Sequence, residues 1–140
     1  MSYATQADIL LMMESATLIN LTDDAGTGAI VEAPVTQALA DADAEIDAYV
    51  GVKYTVPLDP VPAVVQKIAV DIAIYNLYSR RQNMVDVVRD RYLDAIKFLT
   101  AVSKGVASLG DEDHPAEGAK VLTADDNPAR MFTRSSLADA

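Results

Sequence analysis

Cysteine is absent from the chain. That removes disulfides, thiolate metal ligands and thiol nucleophiles together. Histidine is nearly absent: the single copy, His114, lies in a polar, loop-like stretch. A Ser-His-Asp triad or a multi-histidine metal centre would have to be built on that one residue, so neither hydrolase nor transition-metal chemistry is expected. Bases are also scarce, 11 against 21 acids, for a formal net charge of -10. An acidic chain repels nucleic acid, because the footprint of a DNA binder is basic. The opening MSYATQAD lacks a basic region ahead of an apolar one, so no secretory leader is expected, and the chain reads as a soluble cytoplasmic protein.

What is present is apolar surface. Half of the 140 residues are hydrophobic (51%), enough for one domain with a real core. The most apolar stretch is 62–80, PAVVQKIAVDIAIYNLYSR. Val64, Val65, Ile68, Ala69, Ile72, Tyr75 and Tyr78 follow helical spacing, and Val70, Ile74 and Leu77 fill much of the opposite side. A helix apolar nearly all round must be buried nearly all round. Lys67 and Asp71 fall in its middle, where charge is costly in lipid, so a core helix is expected rather than a membrane span. At i, i+4 those two can pair with each other.

Other helices are expected to wrap this one. Thr5 and Asp8 have capping-box spacing, predicting a short helix over 6–14 that buries Ile9, Leu10 and Met13. A second short piece carries Leu18, Ile19 and Leu21. The stretch 22–28, TDDAGTG, has two acids and two glycines, as a calcium loop would. With Asp23 at position 1 of such a loop, however, Ala25 and Pro34 stand at positions 3 and 12, where ligands belong, and a solvated turn is expected instead. Glu32-Ala33-Pro34 opens a third helix whose buried stripe is Val35, Leu39, Ala42, Ile46, Tyr49 and Val50. Its other face is expected to carry Asp41, Asp43, Glu45 and Asp47, solvated rather than catalytic. Gly51 is a candidate C-cap, and three prolines between 53 and 62 make the next segment extended. A last helix is predicted over 84–104, with Val85, Val88, Tyr92, Ile96, Leu99 and Val102 inward and pairs Asp86/Arg89 and Asp94/Lys97 outward.

Beyond Gly105 the composition changes. Residues 108–140 hold seven acids and three bases with scattered Gly, Pro and Asn, and little helical periodicity. Two apolar clusters interrupt them, Val121-Leu122 and Met131-Phe132, the latter flanked by Arg130 and Arg134. The expected organisation is therefore all-α: a bundle of four to five helices over 1–107 and an extended C-terminal arm over 108–140. Apolar anchors in a polar arm suit binding to a neighbouring subunit or another protein.

The ordered series of short motifs resembles one family. It comprises Tyr3-Ala4-Thr5 with Asp8-Ile9-Leu10, Leu21-Thr22-Asp23, residues 38–42 (ALADA) with 45–49 (EIDAY), and Tyr54 with Pro57-Leu58 and Val61-Pro62. It continues through Asp71-Ile72-Ala73, Tyr75 and Leu77-Tyr78 to Arg91-Tyr92, Ala95, Phe98-Leu99, Lys104-Gly105 and Leu109-Gly110. Over roughly residues 1–110 the chain resembles the head–tail connector (adaptor) proteins of tailed bacteriophages, in particular the Mu-like prophage family. Lys53 and Ile74 stand where that family tends to have Arg, so no ion pair is carried over at either position.

The resemblance implies a non-enzymatic virion protein without metal or cofactor, located at the head–tail interface and in the host bacterial cytoplasm during assembly. It implies a ring, twelve-fold if it matches the portal, that sits below the portal protein. Such a ring extends the DNA channel and offers a docking surface to the tail or a stopper protein. DNA would pass without specific binding, and no membrane is involved. In that setting Asp41, Asp43, Glu45 and Asp47 are candidates to face the channel, since like charge keeps phosphate from sticking. Arg80, Arg81, Arg89 and Arg91 are candidates for the interface between neighbouring copies. Val121, Leu122, Arg130, Met131, Phe132 and Arg134 are candidates for an arm on the portal. Two other readings stay open: a monomeric acidic helical module whose C-terminal tail grips a single protein partner, and an enzyme or calcium-dependent protein built on Asp23 and Asp24.

Overall fold

The computed structural model describes residues 2–110. They form five helices and no strand: α1 (Gln6–Leu10), α2 (Ser15–Thr22), α3 (Glu32–Val50), α4 (Ala63–Arg80) and α5 (Asp86–Ser103). Helix α4 is the centre. Half of its residues are buried, on several faces: Val65, Ile68, Ala69, Val70, Asp71, Ile72, Ala73, Ile74 and Leu77. Helices α3 and α5 make the most extensive contacts with it and also touch each other, while α1 and α2 pack more lightly against the same spine. The all-round apolar pattern of α4 dictates this arrangement, because a helix without a polar face needs cover on every side.

Local signals set the boundaries. Thr5 and Asp8 form the expected capping box, with Asp8 accepting from the Thr5 backbone N–H at 2.8 Å. Helix α1 nevertheless stops at Leu10 rather than reaching Glu14. The run Ile9 to Met13 is apolar at every position, more than one helix face can bury. Ile9 is fully buried, Leu10 and Met13 half-buried, and Leu11 and Met12 turn outward. Pro62 caps α4, and Gln82, at φ 55, turns the chain out of it. Helix α5 begins two residues later than the 84–104 prediction, with Val85 as N-cap and 41% exposed. At its end Gly105 takes the left-handed conformation expected after a helix, φ 77. Gly51 does not: it caps α3 in a right-handed conformation, and an added Cβ would lie 2.7 Å from the Asp47 carbonyl oxygen. Its place is a matter of close approach rather than of positive φ.

The extended segment 54–62 includes cis peptide bonds before Pro57 and Pro60. It buries Tyr54 and Leu58 and carries the chain from α3 to α4. Packing also continues past the boundary drawn at 107. Leu109 is buried, and its N–H donates to the Tyr54 hydroxyl at 3.2 Å.

Core truncation in α4 is the direct test of this architecture. Ile72 is fully buried, and Ile72→Ala is expected to cost about 2–5 kcal/mol. Val87→Ala, on the exposed side of α5, is expected to change stability by less than about 0.5 kcal/mol. Urea denaturation of the two variants measures both.

Candidate functional site

The four acids of α3 do not share one face. At about 100° per residue, Asp41 and Glu45 fall on one flank of the buried stripe and Asp43 and Asp47 on the other. Asp41 is exposed and accepts from the Gln37 side-chain amide at 2.8 Å. The other three are half-buried and bind within the fold. Asp43 accepts from the Tyr3 backbone N–H at 3.0 Å, and Asp47 accepts from the Tyr3 hydroxyl in a short hydrogen bond. The same hydroxyl accepts from the Leu58 backbone N–H at 3.0 Å. Glu45 accepts from the Tyr92 hydroxyl at 2.7 Å, and the Tyr92 ring stacks on Tyr75 with centroids 3.8 Å apart. The sequence reading of a single solvated face is therefore corrected. These carboxylates staple the N-terminal segment and α5 onto α3.

The buried Tyr3 clamp is a site that sequence reasoning missed. Burial, reinforced by the bond to Asp47, pushes the Tyr3 phenol up to about 12. Burial and Glu45 likewise raise Tyr92.

The basic residues are also unequal. Arg80 and Arg81 both turn back onto Asp24, Arg81 at 3.0 Å, and Arg80 also donates to the Leu21 carbonyl at 2.9 Å. They tie the end of α4 to the end of α2. The Arg80 hydrogen bond, foremost, holds the Asp24 carboxyl below its usual range. Arg89 pairs within its own helix with Asp86 at 3.2 Å. Arg91 makes no ion pair among the described residues. It lines a groove of about 280 Å³ between α4 and α5, together with Val64, Ile68 and Phe98.

The Asp23 loop uses its acid internally. One carboxylate oxygen accepts from the Thr27 N–H at 2.8 Å and the other from the Gly28 N–H at 2.6 Å. Those backbone donors hold Asp23 below the usual carboxylate range. Donors already face both oxygens, and no group of three or more potential metal ligands occurs among the described residues. The turn reading fits this loop.

A second groove, of about 330 Å³, lies between the end of α1 and the first half of α4, walled by Leu11, Met12, Ala63 and Val70. Asp71 borders both grooves, its side chain 3% exposed and joined to Lys67 at 2.8 Å, the pair expected from their spacing. The signal for the second groove was present in the sequence. The apolar run from Ile9 to Met13 exceeds what one short helix can bury. His114 and the arm candidates Val121, Leu122, Arg130, Met131, Phe132 and Arg134 lie outside the described residues. Among the described residues, no helix is long and apolar enough to cross a membrane. The arrangement offers grooves and charged rims for packing and pairing.

Comparison with known proteins adds a family. The sequence profile described as "Bacteriophage Mu, Gp36" matches residues 3–124. This reaches 14 residues beyond the 1–110 span assigned from motifs alone and so takes in Val121 and Leu122. The chain is 43% identical over 88 residues to the Mu-like prophage FluMu protein gp36 of Haemophilus influenzae, 61% of each chain. The matched part thus spans less than two thirds of that relative's length. It is 28% identical over 138 residues to gene product J of Escherichia phage Mu, 96% of each chain.

The Tyr3 clamp yields a pH signature. The folded state holds the phenol proton more tightly than the unfolded chain, where tyrosine titrates near 10.0. Its contribution is complete below about pH 10 and is lost as pH rises toward 12. At neutral pH Tyr3→Phe is expected to cost about 1–3 kcal/mol, since it leaves the buried Leu58 N–H without its partner. Above about pH 10 the gap between the two proteins should narrow. Denaturant titrations at about pH 8 and about pH 11.5 measure it, and a constant gap would detach Tyr3 from the alkaline transition.

Proposed function

We propose, from the premise that this chain belongs to the Bacteriophage Mu Gp36 family, that it is a structural virion protein of the head–tail connector. In this reading copies of the chain form a ring beneath the portal. The ring extends the DNA channel and presents a surface on which the tail or a stopper protein docks. The match to the family profile over residues 3–124 is the observation that carries the reading.

The geometry supports it in three ways. The bundle is small and all-helical, with two grooves that meet at Lys67 and Asp71 of α4, which suits a subunit with room for contacts beyond its own fold. Arg91 stands in one of those grooves beside apolar walls, with no ion pair among the described residues, so it is the arginine we assign to the contact between copies. Arg80, Arg81 and Arg89 are already paired within the chain. The α3 carboxylates keep partial exposure while holding tyrosines, and an acidic lining lets phosphate slide past without binding. The exposed Asp41 is the strongest candidate to face the channel.

The test is to mix the purified protein with the portal of the same phage and to weigh the complex by native mass spectrometry. A ring of copies matching the portal symmetry is expected. Arg91→Glu is expected to raise the concentration needed for half-assembly about tenfold, equivalent to about 1.4 kcal/mol per contact. A single copy per portal complex, or a monomer in its presence, would overturn the ring and favour a one-partner binding module.

A further inference from the structure

The groove between α1 and α4 has an unusual make-up. Leu11 and Met12, on its wall, are 84% and 46% exposed. Scattered apolar residues are ordinary on a surface, but two adjacent ones beside a cavity leave apolar area that gains from cover. Asp71 faces the same groove with a buried side chain. Its Oδ2 accepts from Lys67, while its Oδ1 meets no donor among the described residues. Asp8 stands at the rim. A buried carboxylate oxygen is costly unless a donor reaches it. The fitting occupant is therefore a bulky apolar side chain beside a cationic donor, with no acid nearby.

Beyond residue 110 one stretch has that composition. No acid occurs between Asp126 and Asp139, and within this interval Arg130 and Arg134 bracket Met131 and Phe132. The other apolar pair, Val121-Leu122, is followed closely by Asp125 and Asp126. Leu109 is fastened to Tyr54, in the loop that leads into α4 at Ala63, which lines the groove. The roughly 20 residues from 110 to 130 span up to about 66 Å when extended. A tether of this kind gives an effective concentration in the millimolar range, so a weak contact suffices within one chain.

We propose that residues 130–134 dock in the α1–α4 groove of their own chain, with Met131 and Phe132 against Leu11 and Met12 and an arginine on Asp71. The proposal stands apart from the ring reading. It carries a consequence for any partner that captures the arm: capture bares Leu11 and Met12, so arm binding and groove binding are reciprocally linked.

The chain has no cysteine, so Ser135→Cys accepts a single nitroxide on the full-length protein. With isotope-labelled methyl groups, the Leu11 and Met12 signals are expected to be lost in the paramagnetic sample and recovered when the nitroxide is reduced. Val87, on α5, should keep its signal. Adding Met131→Ser and Phe132→Ser to the same labelled protein should restore Leu11 and Met12. A mixture of spin-labelled chain without isotope and isotope-labelled chain without nitroxide should show no loss. The proposal is overturned if Leu11 and Met12 are unaffected in the first sample. It is equally overturned if the double serine variant leaves the loss unchanged, or if the loss occurs in the mixture, which would place the arm on another copy.

Discussion

The burial of α4 is the constraint on which the rest of the structure depends. Its apolar residues occupy several faces, so α3 and α5 flank it and α1 and α2 cover part of the rest, leaving Ala63, Gln66 and Lys67 of its first turns to solvent. The polar residues within it are handled individually. Asp71, buried, is met by Lys67, whose long side chain stays largely in solvent. Asn76 reaches the Ala38 carbonyl of α3 at 3.3 Å. These contacts pair one oxygen of Asp71 and the Asn76 amide inside an apolar helix.

Cover for α4 has to be held in register, and the α3 carboxylates do that. Tyr3 brings the N-terminal segment and the 54–62 loop together at Asp43 and Asp47, while Tyr92 brings α5 to Glu45. Residues that look like surface charge in the sequence thus serve as acceptors between elements. The same economy operates at the other end of the bundle, where Arg80 and Arg81 converge on Asp24. Among the groups of the described residues that this pairing leaves unengaged are Arg91, in its groove, and the outward side chains of Leu11 and Met12. Those residues are where a partner of the chain has something to gain.

Much of the fold was legible because it rests on period and on caps. The 3.6-residue pattern of α4, the stripe of α3 from Val35 to Val50, the Thr5/Asp8 box and the Lys67–Asp71 pair all follow from local spacing. Tyr49 in that stripe is half-buried and Ala38, outside the expected stripe, is buried, a shift of the stripe's edge set by where α4 and α5 press on it. The site was less legible for a physical reason. Tyr3 and Asp47 are 44 positions apart and Tyr92 and Glu45 are 47 apart, and no periodicity links residues at such separations. The pairing of Arg80 and Arg81 with Asp24 is hidden in the same way. The family resemblance, carried by many weak motifs in order, extends further along the chain in the profile match than those motifs reach.

Native-state amide hydrogen exchange tests the central role of α4 most directly. If α4 is the spine, its interior amides, from Ile68 to Leu77, exchange last and together, through the same global opening that unfolds the bundle. The amides of α1 exchange earlier, through local opening. If α4 amides exchanged ahead of those in α3 and α5, the helix would be a passenger on a two-helix core rather than the spine of the bundle.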